Sequence, residues 1–536
     1  MPEMIRLKDF ERASNPFAAA AQALREHPGA TFRIDPGVYE IGTELSRETM
    51  QNVLSGAFGD NPEREMFRPD FRYDVGLPLD DLRDVTVEAE GATLLIDGFM
   101  EPLSIRRTKN LCLRGLTIDH KRKPYSCGVV SDWHAEGCGA AFTVTFLDRY
   151  PVSESIPMPR VCLFDPNANR FTCYNDFHVT ARKWLGGQAF RLTADADLPF
   201  SPNGMLLYAW HTFHSRPCVF LEDSRDVRLV SVTLHSQPGM GVVAHRCENL
   251  DFDQLRVVPS AGEHMSTNTD ATHITSCKGL VRYRSCFFEG QGDDSVNIHS
   301  YYHTIVEARG QACTVENRAP TGTHSQTPDL FDVGDTLELT CADSLRAVDQ
   351  FRVLSRESPA FGCMRLTLDR PLPDDCVGSY LADVTRQPEL IFEGNTCRNH
   401  LARSALIKVK RARVVGNAFI DVVGTAIDVA AESPWKEALC ATEEIVVQGN
   451  RIVYCGRNDD IRQRDCAGVC VTVDAPHPNA LTHKRVVITD NIIDCPDSPV
   501  GVYVSNTESL TLERNNINVK ETPIRVVDFA PDNEDE

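Results

Sequence analysis

Three aspartates, Asp270, Asp293 and Asp294, are spaced so that they can assemble an acid and a base. Asp270 precedes Asp293 by 23 positions. The surrounding chain repeats with about that period, so side chains one repeat apart are expected on one face of neighbouring rungs. Hydrolysis of a glycosidic bond needs a protonated carboxyl group for the leaving oxygen and a carboxylate that activates water or attacks the sugar. Clustered carboxylates repel one another, which keeps at least one protonated near neutrality. A single rung is shorter than the roughly 6.5–9.5 Å between the carboxyls of inverting hydrolases, so extra reach across a bend is required. The same aspartates have two other uses, as Asx caps of bends and as calcium ligands in a lyase. The one-repeat spacing and the small neighbours Gly290 and Gly292 favour catalysis.

Polar and aromatic residues around this segment extend the candidate site. Glu263, His264 and His299 flank the aspartates and can bind sugar or tune their pKa values. Downstream, Arg403 and Lys408 can hydrogen-bond sugar hydroxyls, although basic residues on strands are commonly just solvent-exposed. In the string ESPWKE, the Trp435 ring can stack on a galactose face while Glu432 and Glu437 take hydroxyls; the plainer use of Trp435 is to close a loop.

The elements that must position these residues are short β-rich strings, each bounded by a polar turn. RDVTVEA, NLCLRGLTIDH, RDVRLVSVTLHS, ELIFEGNTC, EIVVQGNRIVYC and SLTLERNNINV are one unit repeated. Between first apolar residues, Val227 to Leu250 is 23 positions, Leu250 to Leu280 is 30, Leu390 to Val414 is 24 and Val487 to Leu510 is 23. That period describes coils of a right-handed parallel β-helix, whose inner faces are buried only by stacking. Asn395, Asn417, Asn450, Asn491 and Asn515 recur at the turns. They are expected to accept left-handed geometry there and to hydrogen-bond along the stack.

The fold expected is therefore all-β. Residues 1–120 hold an N-terminal cap, with one short helix over Asn15 to His27, and the first coils. Residues 121–216 and 301–387 break the period with alternating patterns and read as inserted antiparallel β-barrel-like modules. Central coils over 217–300 carry the aspartates, final coils cover 388–522, and 523–536 is an acidic tail.

Composition narrows the partners. With 76 acidic against 55 basic residues the formal charge is −21, which disfavours nucleic acid and anionic membranes. No apolar run reaches the roughly 20 residues of a membrane span. The 19 cysteines are an odd number scattered singly through apolar strings such as those of Cys277, Cys286, Cys397, Cys455 and Cys495, and read as reduced core residues. They lack paired zinc spacing, so neither metal nor cofactor is expected. The N-terminal segment lacks the apolar stretch of a secretory leader. The expected location is the cytoplasm, or the periplasm or exterior if a leader has been removed. A homodimer is compatible with the sequence.

The strings NTDATH, FEGQGDDSVNIH, PGMGVVA, ARSALIK and GTAIDVAAESPW resemble glycoside hydrolase family 110, whose members are similar to polygalacturonases in carrying NTD and DD motifs on a pectin-lyase-like solenoid. The resemblance spans about Ile118 to Asn450. It implies an inverting α-1,3-galactosidase that releases terminal galactose from glycans such as the blood group B determinant. It also implies Asp293 as general acid, with Asp270 and Asp294 holding and deprotonating water, and it places Asn268 of the NTD motif at the substrate. The Gly-His-Gly and Arg-x-Lys motifs of polygalacturonases are not intact, which argues against pectin. The alternatives are a polygalacturonase-like hydrolase, or a non-catalytic carbohydrate-binding β-helix such as an adhesin.

Overall fold

Counted in the order in which each rung visits them, twelve, eleven and twelve strands form three long sheets, parallel throughout but for one antiparallel strand of the third, that enclose one apolar core as a right-handed parallel β-helix. The computed structural model describes residues 3–172, 177–317, 327–440, 442–457 and 466–532; the last four residues of the acidic tail lie outside them. Each rung gives one strand to each sheet, and its inward side chains stack on those of the next. In the first sheet the file Leu113, Leu229, Phe252, Tyr283, Phe392, Val414, Val447, Ile488 runs residue over residue. Every member is at most 1% exposed. Burial of such a side chain stabilises by about 1.5–3 kcal/mol, and no single coil has a second layer to achieve it alone.

Strand registers correct the spacings read from the sequence. Val227 faces Leu250 as expected, but Leu250 faces Val281, Leu390 faces Ala412 and Val486 faces Leu510. The physical reason is that apolar residues also stand on the outer face, as Leu280 and Val487 do, and that inward positions recur every second residue, as Ala412 and Val414 do. In the coil after Leu250, a register shift adds a residue near Gly279. Gly279 has φ +74°, and a β-carbon on it would stand 2.2 Å from Asn249 Oδ1.

The asparagines form a buried ladder. Asn395, Asn417, Asn450 and Asn491 each donate the backbone N–H to the side-chain oxygen of the asparagine on the next rung, at 2.8, 2.9, 2.9 and 3.1 Å. The left-handed residue at these bends is the one before: Gly394, Gly416, Gly449, Asp490 and Arg514. The asparagines supply hydrogen bonds, and their predecessors supply the turn.

Both insertions leave the rung ladder unbroken. Lys109–Arg114 pairs with Arg225–Val230 across the first, and Lys278–Arg284 pairs with Glu389–Glu393 across the second. The first is a seven-stranded antiparallel sheet between Tyr125 and Trp210; the second is a closed six-stranded barrel between His303 and Asp383. One enters the chain just before the third solenoid sheet and the other just after it, so the two modules flank that sheet.

At the N-terminal end, helix α1 (Pro16–Glu26) buries Phe17, Ala20, Ala21 and Leu24, with Asn15 capping Ala18 N–H at 3.0 Å. Two further helices, α2 (Glu44–Leu54) and the one-turn α3 (Glu63–Met66), were not expected. Thr43 and Ser46 cap α2 reciprocally, a box closed by serine where glutamate is usual. Cysteines 277, 286, 397, 455 and 495 are buried thiols, and the described cysteines form no disulfide. No helix among the described residues is long and apolar enough to cross a membrane.

Candidate active site

Six strands of the third sheet build the site: β1 (Val242–His245), β2 (Thr272–Thr275), β3 (Val296–Tyr301), β4 (Ala405–Ile407), β5 (Ile427–Glu432) and β6 (Glu437–Ala438). Thr272 of β2 faces Val296 of β3, so this coil advances 24 residues and Asp270 lies level with Asp294. The sequence spacing had aligned Asp270 with Asp293, one residue off. Asp294 N–H donates to Asp270 Oδ1 at 3.2 Å, and Ala271 N–H donates to the Asp294 carbonyl at 2.9 Å. Asp293 stands beside this pair, and carboxylate oxygens of the three lie within 4.8 Å of one another. Gly292 permits the tight corner, since a β-carbon there would stand 2.2 Å from the Asn268 carbonyl.

The next rung brings Arg403. Val296 faces Ala405, which places Arg403 over Asp294. Its backbone N–H and Nε donate to Asp294 Oδ1 at 2.9 and 3.0 Å, and Nη2 donates to Oδ2 at 3.0 Å. From there a circuit of buried charge closes. Arg403 Nη1 lies 3.3 Å from Glu432, Lys408 Nζ lies 2.8 Å from Glu432 and 2.6 Å from Glu437, and Glu437 lies 3.6 Å from His299 Nε2. His299 Nε2 meets His273 Nε2 at 2.8 Å, and His273 Nδ1 meets Asp270 Oδ2 at 2.5 Å. Glu437 reaches this position because β6 turns back antiparallel, Tyr301 facing Glu437 and Glu432 facing Glu437.

The predicted site residues divide. Asp270, Asp293, Asp294, His299, Arg403, Lys408 and Glu432 converge. Trp435 sits at the tip of the turn between Glu432 and Glu437 and is 43% exposed. Glu263 is engaged by Arg149 at 3.1 Å and by the Tyr150 hydroxyl. His264 hydrogen-bonds the Tyr208 hydroxyl at 2.8 Å and lies against the Phe164 ring at 4.0 Å. Both residues thus brace the solenoid against the first inserted module. Asn268 is buried and donates its amide to the Thr212 carbonyl at 2.8 Å, pinning the corner.

Sequence reasoning missed His273, Asp428, Arg160, Phe213 and Glu63. His273 follows Asp270 by three residues within the quoted NTDATH string, and that short spacing was the available signal. Arg160, from the first module, lies 3.7 Å over the Phe213 ring, and its charge acts on Asp293. Glu63 of α3 accepts the Phe213 and His214 N–H groups at 2.9 and 2.8 Å. Cap, module and solenoid therefore meet around Asp293.

Burial and then the charges of Asp294 and Asp270 push the Asp293 carboxyl up to about 8. Burial, followed by Asp294 and Glu437, raises Asp270 well above the usual carboxylate range. Burial lowers His273 to about 4 and His299 to about 3, which keeps both rings neutral at pH 7. Arg403 stays protonated in spite of burial because Asp294 and Asp428 face it. Glu437 is held well below its ordinary value in spite of burial; with both imidazoles neutral, the Lys408 ammonium 2.6 Å away is the charge that holds it there. At neutral pH the cluster thus offers a proton on half-buried Asp293, beside Asp270 and beside an Asp294 carboxyl group gripped by the Arg403 guanidinium, which is the equipment of general acid and base catalysis.

Two groups have the proximity that a cation would need: Asp270 with Asp293 and Asp294, and His273 with His299 and Glu437. The fork of Arg403 on Asp294 and the Lys408 ammonium on Glu437 already bring positive charge to both.

No family model matches the chain. Curated relatives align along nearly its whole length. Alpha-1,3-galactosidase B of Phocaeicola vulgatus is 25% identical over 91% of this chain and 87% of its own. Alpha-1,3-galactosidase A of Bacteroides fragilis is 24% identical over 96% and 86%. Among solved structures, a family 28 exopolygalacturonase of Yersinia enterocolitica is 12% identical with TM-score 0.31, covering 99% of this chain and 79% of that one. A mannuronan C-5 epimerase module of Azotobacter vinelandii is 11% identical with TM-score 0.33, covering 98% and 99%.

Proposed function

We propose that this protein is an exo-acting glycoside hydrolase that releases terminal α-1,3-linked galactose with inversion, from blood group B type glycans and from linear α-1,3-galactosides. The observation that carries the reading is Asp293, holding its proton up to about 8, within 4.8 Å of the Asp294 carboxyl group that Arg403 grips on both oxygens. The names of the full-length relatives supply the sugar and the linkage.

In this reading Asp293 protonates the glycosidic oxygen as the bond to the anomeric carbon breaks. A water activated by the neighbouring carboxylates attacks that carbon from the opposite side. The oxygens stand closer than the roughly 6.5–9.5 Å usual for inverting pairs, so the water sits beside the acid–base pair, with the sugar reaching across the corner. Retention would need a carboxylate oxygen open to the anomeric carbon. Asp294 is engaged on both oxygens by Arg403, and Asp270 on both by Asp294 N–H and His273.

A neutral sugar fits the floor better than a uronate. The cations Arg403 and Lys408 are each matched to carboxylates: Asp294 and Glu432 for the first, Glu432 and Glu437 for the second. Asn297 Oδ1 and Asp428 Oδ1 are buried acceptors without a protein hydrogen bond among the described residues, and hydroxyl groups of a sugar would satisfy them. Incubation with a blood group B oligosaccharide, with free galactose quantified, tests the reading. Release of galactose is expected, and binding without release would make the protein a carbohydrate-binding β-helix instead.

A further inference from the structure

Asp270, His273 and His299 form an unbroken series of hydrogen bonds whose proton count is determined by its end. His299 Nδ1 lies 2.7 Å from the Ser300 carbonyl oxygen, which can only accept, so this nitrogen carries hydrogen. Two more contacts follow, His299 Nε2 to His273 Nε2 at 2.8 Å and His273 Nδ1 to Asp270 Oδ2 at 2.5 Å. Three hydrogen bonds need three protons, and two neutral imidazoles supply two. The third belongs to the carboxyl group of Asp270 or to an imidazolium, and in each arrangement the three side chains together are neutral.

The charges around the series favour this extra proton. Asp270 faces Asp294, Glu437 and Arg403, with Asp293 adjacent. His273 faces Glu437, Lys408, Asp294 and His214, and His299 faces Glu437, Lys408 and the Tyr301 ring. The raised Asp270 and the lowered histidines put the resting proton on the carboxyl group, in agreement with the count.

We propose that Asp270, His273 and His299 are a proton wire holding one mobile proton, which makes Asp270 the acceptor of the attacking water's proton and the two histidines its positioning residues. The proposal rests on the hydrolase reading and specifies its base. As the water oxygen bonds to the anomeric carbon, its O–H breaks and the proton goes to Asp270 Oδ1. The proton on Oδ2 passes to His273 Nδ1, and the one on His273 Nε2 passes to His299 Nε2. The positive charge ends on His299, 3.6 Å from the Glu437 carboxylate. The glycosidic C–O bond breaks, and its electron pair takes the Asp293 proton. Asp294, bound three times by Arg403, takes no proton in this scheme and orients the water.

Two measurements on the full chain test the wire. In 15N spectra of histidine-labelled protein at pH 7, with signals assigned by their loss in His273→Asn and His299→Asn, His273 is expected as the neutral Nε2–H form and His299 as the neutral Nδ1–H form. A neutral Nδ1–H form of His273 would overturn the proposal, because Asp270 would then be an ordinary carboxylate. The second measurement is the pH profile of kcat/KM. Asparagine at position 273 can still donate to Asp270 but cannot pass a proton on, so protonation of Asp270 becomes inhibitory. The acid limb should move up by about one pH unit or more, while the alkaline limb set by Asp293 stays. A uniform loss of rate with both limbs in place would reduce His273 to a packing role. If the unaltered protein releases no galactose the hydrolase reading fails, and the 15N result still decides whether the wire exists.

Discussion

Asp294 and Arg403 occupy the same position on successive rungs and are joined three times, once through the Arg403 backbone and twice through its guanidinium. The same guanidinium also touches Glu432 at 3.3 Å and approaches Asp428 at 3.9 Å, so one arginine balances the charge of half the site. Removing one partner of a buried ion pair leaves the other uncompensated, at a cost of about 3–5 kcal/mol. Arg403→Ala is therefore expected to lower the thermal midpoint clearly. Arg403→Lys keeps the charge without the fork and should lower kcat/KM by about 10²–10³-fold with a smaller loss of stability. Full activity in the lysine variant would show that the bidentate geometry is dispensable.

Asp293 is predicted to act as the acid. Its carboxyl is raised, so the active protonated form is complete at low pH and is lost as pH rises through about 8. The kcat/KM profile should fall on that side. Asp293→Asn should lose about 10²–10⁴-fold on a natural galactoside while keeping substrate binding. An aryl galactoside, whose leaving group needs little protonation, should lose much less. Equal losses on both substrates would remove the acid role from this residue.

The asparagine ladder is a stability device remote from the chemistry. In Asn450→Leu, the Asn417 N–H and side-chain amide each lose the Asn450 oxygen they meet at 2.9 Å. A buried unpaired group costs about 1–3 kcal/mol, so the melting midpoint should drop while kcat/KM below the transition stays within about twofold. A variant as stable as the parent would mean that water replaces the lost acceptor.

Because Arg403 and Lys408 supply the positive charge of the cluster, galactose release should be unchanged in excess chelator. Loss of activity restored by calcium would favour a metal-dependent reaction on the aspartates.

The solenoid was legible because each coil repeats one chemical pattern and stacking punishes departures from it: the Val and Leu files and the five asparagines are visible as a period. The aspartate trio was legible for the same reason, since one coil of spacing implies one face. The alignment slipped by one residue because the register shift near Gly279 makes that coil 24 residues long. Glu432 and Arg403 could be foreseen as neighbours of the strands, but the inward turn of Glu437 depends on a hairpin whose antiparallel return no local pattern announces. Glu263 and His264 lie near the aspartates in the chain yet serve the inserted module, since proximity in sequence is not proximity across a bend. Arg160 and Glu63 carry no local signal, because they meet the site through contacts between separate parts of the chain; Glu63 and Phe213 are 150 residues apart.

The central claim is that Asp293 and its neighbouring carboxylates cut an α-1,3-galactoside by a single displacement. Proton NMR of the first minutes of reaction on a blood group B oligosaccharide tests it most directly. The β anomer of galactose should appear first and then mutarotate, and Asp293→Asn should release almost none. Initial release of the α anomer, or galactose release by the Asp293→Asn protein at the parent rate, would contradict it.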